Sequence, residues 1–374
     1  MRRSDKFLFG LTVLLFLFSD VYYAGLGRVY DYVYISLVAI SLRRILKGLS
    51  RFAINESVAL IIIACPWLVV GMFQGSVLLV LAWLVGIILF YGIIGGYLRS
   101  KIEYFLAWLG YGLWVSLSVF FVQFCLKFFG SIYLDLHEII GSIPSRGWND
   151  EINYFRASGL FQEPNAFAAI SFAMASVRIH HLQRLEFVDV LSILSIIVSQ
   201  SLWGFGAVIV LLGICRITAA RIKRGSILIG IVLTLVLINF NIIDSWYQDS
   251  TTGQRISGID GDASRNVRFG YFEDYLNFDQ KIFGVGLNGD KFQILIGANG
   301  FAFLYTSFGV AGVVLLFFWL TVNARFNWRP IIAVLYLFTT FPHTAYMFFW
   351  VWLSLIMAPS FSKEGIDRQE QCKL

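Results

Sequence analysis

Apolar runs of membrane-crossing length alternate with short polar breaks along almost the whole chain. Taken as spans, they predict helices at roughly 7–25, 29–46, 52–73, 76–97, 104–129, 164–182, 187–200, 202–218, 225–243, 298–321, 330–342 and 344–359. A run of about 18 to 20 apolar residues crosses a hydrocarbon core of about 30 Å. The seventh and eighth segments are short and meet at Gln200-Ser201-Leu202-Trp203-Gly204. The last two are shorter still and meet at Pro342-His343. Both pairs also read as re-entrant or broken segments. The expected fold is therefore an all-α polytopic membrane protein of about 12 transmembrane helices, within a range of about 10–12. Polar positions collect in two long interruptions, 130–163 and 244–297.

Composition agrees with this pattern: of 374 residues, 58% are hydrophobic and only 14% charged. Residues 1–374 read as a single integral membrane domain, packed in lipid rather than around a water-excluding core. The net charge of +6 is a topology signal and not a nucleic-acid one, so no nucleic-acid partner is expected. Basic residues cluster at Arg2/Arg3/Lys6, Arg43/Arg44/Lys47/Arg51, Arg99/Lys101, Arg178/Arg184, Arg216/Arg221/Lys223/Arg224 and Arg325/Arg329. All of these fall on one side, which the positive-inside rule makes cytoplasmic. The N-terminus and the tail 362–374 are then cytoplasmic, and both long loops face outward. Cys65, Cys125, Cys215 and Cys372 have neither metal-ligand spacing nor a disulfide framework, and neither metal nor cofactor is expected. The cytoplasmic connections are short and simply basic, without a nucleotide-binding loop, so chemistry is expected on the outer face. His180 and His181 read as solvated members of one such connection.

The outer loops carry carboxylates, amides and aromatic rings, a mixture suited to sugars. The first returns to the membrane as Arg156-Ala-Ser-Gly159-Leu-Phe-Gln-Glu163-Pro164-Asn165-Ala-Phe-Ala168. An arginine beside a glycine turn, followed by Pro-Asn opening an apolar helix, makes a cationic pocket at headgroup depth. The second loop adds Arg255, Arg265 and Arg268. Guanidinium groups bind phosphate bidentately, so two arginine-bearing loops on one side suggest a lipid diphosphate ligand. Arg265 and Arg268 share a face if their stretch is helical, and Val267–Leu276 has the spacing of an amphipathic helix lying on the membrane. Tyr271, Asp274, Glu163, Asn165, Asn299 and Arg255 are the candidate substrate contacts. Phe283-Gly284-Val285-Gly286 reads as a tight turn that seats the second loop on the bundle. His343, after Pro342, is a candidate base for a sugar hydroxyl or a partner for broken-helix backbone, and Glu163, Glu273 and Asp274 are rival bases.

From about Tyr154 to Pro359 the order of these pieces resembles the bacterial O-antigen polymerase and ligase superfamily. Arg156-Ala-Ser-Gly159 with Pro164-Asn165-Ala-Phe-Ala168 is similar to its first signature. Arg268, the aromatic stretch after it and Phe283-Gly284-Val-Gly286 are similar to its second, and Asn299-Gly-Phe with Gly309-Val-Ala-Gly312 is similar to the start of the following helix. The resemblance implies a GT-C-like, metal-independent, inverting glycosyltransferase of the cytoplasmic (inner) membrane. Its substrates would be undecaprenyl-diphosphate-linked repeat units, and its partners a chain-length regulator and a flippase. Arg156 and Arg268, with Arg265, would hold the diphosphate. Where ligases carry a histidine, this chain reads Gly297-Ala298-Asn299, which favours a polymerase over a ligase. A ligase and a flippase of lipid-linked sugars remain the alternatives. Sparse intramembrane charge, limited to Glu56, Asp189 and Lys127 near helix ends, favours an enzyme over a transporter.

Overall fold

The structure is a computed structural model that describes residues 3–19, 22–23, 27–28, 51–130, 132, 134–139, 148–149, 154–155, 157–161, 163–199, 202–215, 276–287, 300–339 and 347–360. The spans expected at 29–46 and 225–243, the tail 362–374 and most of the second long loop lie outside the described residues. What is described is helical, apart from two antiparallel two-residue ladders: β1 (Tyr22–Tyr23) with β2 (Gly27–Arg28), and β3 (Trp148–Asn149) with β4 (Tyr154–Phe155).

The chain begins with α1 (Arg3–Leu17). Its end corrects the helix expected to run to 25: the Ser19 hydroxyl donates to the Phe16 carbonyl, and the β1–β2 hairpin follows. Next come α2 (Arg51–Phe73), α3 (Val77–Arg99) and α4 (Ile102–Gly130). The middle of α3, Gly86–Gly95, is wound wider, in π-helical turns. A single turn, α5 (Leu136–Ile139), lies in the first long loop, and α6 (Pro164–Leu182) leaves that loop. α7 (Phe187–Val198) and α8 (Leu202–Ile214) form a short hairpin. After the second loop come a short α9 (Phe278–Phe283), then α10 (Gly300–Asn323), α11 (Trp328–Phe338) and α12 (Met347–Met357).

Among the described residues four helices are long and apolar enough to cross a membrane: Ala53–Phe73, Val77–Arg99, Ile102–Lys127 and Gly300–Asn323. Large apolar side chains such as Phe73, Leu78, Ile62, Tyr111 and Phe318 stay exposed on them, as expected of surfaces that face lipid. The protein is a membrane-embedded helical bundle. α7, α8, α11 and α12 are shorter apolar helices; at 1.5 Å per residue each spans about 20 Å or less, short of a full crossing.

α6 is the axis. It packs against α1, α4, α7, α8, α11 and α12, and every residue from Ala166 to His181 is buried. Its alanine- and serine-rich sequence is what lets so many helices approach it, since small side chains bring backbones close in a membrane. A second cluster joins α2, α3, α10 and α12. There Trp83 packs against Phe303, Phe308 and Trp350 at ring separations of 5.1–6.3 Å.

Short turns at 74–76 and 100–101 make α2, α3 and α4 alternate in direction, and α6 runs back beside α4. The C-terminal ends of α2 and α4 therefore share one end of the bundle with the start of α6. This is the loop end. At the opposite end the charged groups are paired. Arg99 donates to Glu56 Oε2 at 2.6 Å, and the Tyr91 hydroxyl donates to the same oxygen at 2.6 Å. Arg178 reaches Asp189 at 2.8 Å, Glu186 at 2.7 Å and the Leu106 carbonyl at 2.5 Å. Lys101 meets Asp5 at 2.7 Å.

His180 and His181, expected to be solvated, are instead 1% and 2% exposed. Their Nε2 atoms lie 3.0 Å from the Ala358 carbonyl and 2.9 Å from the Leu355 carbonyl. A carbonyl only accepts, so each of those nitrogens carries a proton. Arg99 Nε takes the Ser354 carbonyl at 2.6 Å. The last turn of α12, whose carbonyls have no partner within their own helix, is thus capped from α3 and α6. Arg178 is likewise buried inside α6.

Candidate functional site

At the loop end, the segment 157–161 is inserted against α4 and α6. Gln123 sits in the last third of α4 and is 3% exposed. Its Oε1 accepts from the Gly159 N–H at 2.8 Å and the Ser158 N–H at 3.3 Å. Its Nε2 donates to the Gly159 carbonyl at 3.1 Å and the Leu134 carbonyl at 3.0 Å. One amide therefore joins the first residues of the long loop to its last. Gly159 has φ +64 and a built Cβ would come within 3.4 Å of Phe167, so the turn requires glycine for its conformation more than for space. Phe120 and Phe167 stack beneath it at 4.4 Å.

His137 on α5 ties the same two strands of the loop. Its backbone N–H donates to Asp135 Oδ1 at 2.9 Å, and its Nε2 donates to the Leu160 carbonyl at 2.9 Å. Burial pushes the imidazole below its ordinary pKa, against the opposing pull of the Asp135 carboxylate and the Leu160 and Phe161 carbonyls. His137 is thus a neutral tie and not a cationic ligand. Two residues past Phe161, Glu163 occupies the position before the first turn of α6 with extended backbone, and Pro164 opens the helix. This is where proline is best tolerated, since its missing N–H would have no partner there. Glu163 and Asn165 are half-buried at this mouth, and the Glu163 carboxylate does not cap its own helix.

The end of the second long loop is fastened at the same end. Val285 and Gly286 donate their N–H groups to the Thr306 and Ser307 carbonyls at 2.9 Å each. Those carbonyls are available because α10 breaks at Gly309, with φ 62 and ψ −176. Gly284, at φ +73, lies back to back with Gly309, and a Cβ on either would strike the other's backbone nitrogen. Trp67 Nε1 on α2 donates to the Phe283 carbonyl at 2.5 Å, and Leu287 is fully buried against Gly71. The glycine-rich turn does seat the loop on the bundle.

No family model matches the chain, and no curated protein and no solved structure matches it. Of the residues singled out in the sequence, Glu163 and Asn165 lie within the described residues, at the start of α6. Arg156, Arg255, Arg265, Arg268, Tyr271, Asp274, Asn299 and His343 lie outside the described residues. Gln123, His137 and Trp67 were not singled out. Gln123 had a signal: it is a lone amide in an otherwise apolar stretch of α4, and a polar side chain at such a depth needs a partner. At the start of α8, Trp203 stacks on Tyr336 at 4.8 Å and donates to the Thr339 hydroxyl at 2.7 Å, which joins α8 to α11.

Proposed function

We propose that the chain is a membrane glycosyltransferase that polymerises a bacterial surface polysaccharide from undecaprenyl-diphosphate-linked repeat units. The observation that carries this reading is the common rooting of the two arginine-bearing loops. The first is clamped directly after Arg156 by Gln123 and His137, and the second is strapped onto broken α10 after Arg255, Arg265 and Arg268. Loops rooted at one end of a bundle can converge on one headgroup. On this reading the bundle has about 12 spans with its loop end outside the cell.

The reaction follows from the substrate's chemistry. The acceptor hydroxyl oxygen attacks the anomeric carbon of the donor sugar with inversion. The bond from that carbon to the diphosphate breaks, and the electron pair leaves with undecaprenyl diphosphate. Arg156 and Arg268, with Arg265, meet the negative charge that grows on the leaving oxygen. The hydroxyl proton passes to a base, for which His343, Glu163 and Asp274 are the candidates. Asn165, Tyr271, Asn299 and Arg255 are assigned to the glycan.

The test is deletion of the gene in its host, with surface glycolipids resolved on a gel. Single repeat units with the longer ladder lost identify a polymerase. Loss of every attached unit with lipid-linked polymer accumulating identifies a ligase, and cytoplasm-facing unpolymerised units identify a flippase. In the complemented strain, Arg156→Lys and Arg268→Lys keep charge but lose the planar fork, so most polymer length disappears. Wild-type ladders in both would sink the proposal.

A further inference from the structure

We infer that Gln123 is the positioning residue of the first outer loop: its amide fixes residues 158–159 against the bundle, just after Arg156 in the chain, and so sets the affinity for the lipid diphosphate. The inference rests on the function proposed above. A primary amide offers two N–H donors and one oxygen with two lone pairs. Gln123 uses all four, on Leu134, Ser158 and both backbone groups of Gly159. It therefore pairs with Gly159 as a neighbouring strand would, and reaches the loop's first strand with its remaining N–H. Only two residues of chain stand between Arg156 and Gly159. Nothing smaller or singly functional could close both sides of the neck: serine has one donor, and leucine has none. The clamp is 3% exposed, so water does not compete for these bonds, and the Gly159 and Ser158 N–H groups would lose their acceptor if the amide were removed.

The experiment uses the full-length protein in lipid nanodiscs, wild type beside Gln123→Met and Gln123→Glu. Methionine keeps length and removes every hydrogen bond. Glutamate keeps the acceptor but confronts two carbonyls with a carboxylate, and it regains a donor when protonated. Amide hydrogen exchange over 157–161 and binding of undecaprenyl diphosphate are measured on each, after thermal unfolding has shown which variants are folded. In Gln123→Met, exchange at 157–161 is expected to rise and affinity to fall by about tenfold or more, with the helices unchanged. In Gln123→Glu the loss relative to wild type at the same pH, which cancels the shared contribution of His137 and Asp135, is expected to shrink as pH is lowered, a rescue that a space-filling role does not give. Unchanged exchange in folded Gln123→Met overturns the positioning role whatever the ligand. Faster exchange with wild-type affinity overturns the link to binding. If wild type itself fails to bind undecaprenyl diphosphate, the proposed function falls and this ligand role falls with it, while the exchange data still report on the clamp. If Gln123→Met does not fold, the pH series on Gln123→Glu decides alone: a deficit relative to wild type that stays constant with pH overturns the inference.

Discussion

At the loop end the chain is fastened by an amide, an imidazole and a pair of glycine turns. At the opposite end it is fastened by Arg99, Arg178 and Lys101 on Glu56, Asp189 and Asp5. The neutral fastenings act on loop backbone, residues 134, 157–161 and 283–286, which carries no regular ladder of its own. The ionic ones join helices and the turns at their ends: Arg99 to Glu56 and Lys101 to Asp5 across long stretches of sequence, and Arg178 to Asp189 on the next helix. The difference is one of what must be held. A backbone segment inserted in a bundle has donors and acceptors to satisfy along its length. Helices have none to spare except at their ends, so there the side chains do the joining.

The contrast can be broken most severely at the opposite end. Arg178→Met strands Asp189, which is fully buried, and is expected to cost about 3–5 kcal/mol, whereas Arg178→Met with Asp189→Leu should restore most of it. Thermal unfolding in detergent of the two single variants and the double variant reads this; equal losses in single and double variants would contradict it. Second in size is the glycine pair. Gly309→Ala puts a side chain at φ 62 against Gly284 and Ile282, and the expected loss is about 2 kcal/mol or more. Limited proteolysis in the second loop should speed up, and an unchanged cleavage rate would show that the strap does not depend on that contact.

A smaller effect sharpens the loop end. The folded pKa of His137 lies below the ordinary histidine value. The neutral form is favoured by folding, so its contribution is complete above about pH 6.5 and is lost as pH falls through that value toward the folded pKa. Protection from hydrogen exchange at Leu160 and Phe161, taken relative to the intrinsic rate at each pH, should therefore fall as pH drops below about 6.5, and His137→Gln should flatten the profile. The smallest effect is at the exposed rim of the opposite end. Lys101 is 33% exposed beside Asp5, and Lys101→Met is expected to change stability by less than about 1 kcal/mol, and less again in high salt.

Much of this was legible in the chain. Pro164 and Gln183 mark the two ends of α6, and the breaks at 74–76 and 183–186 are polar interruptions that hydropathy finds. α2, α4, α10 and the shorter α7, α11 and α12 begin or end within a few residues of their expected places. What failed was anything that depends on a distant partner. His180 and His181 look like a solvated basic connection until the end of α12 arrives, about 175 residues later, with carbonyls to cap. Glu56 reads as a lone charge until Arg99 and Tyr91 fold onto it. The hydrophobic run at the start was extended past Leu17 because aromatic residues score as apolar whether they continue a helix or form a hairpin. The mouth of α6 was found through its local motif, and its clamp was missed because Gln123 and Gly159 meet only in three dimensions.

The burial of α6 has a consequence for biogenesis. Arg178, His180 and His181 lie in one turn of a helix that is not among the four apolar enough to cross a bilayer by themselves. An arginine in a membrane helix raises the insertion free energy by up to about 2.5–3.5 kcal/mol. Asp189, which neutralises Arg178, and the α12 carbonyls that accept from the two histidines are all translated after α6 itself. The axial helix must then wait at the translocon, half-committed, until the chain that completes it has been made.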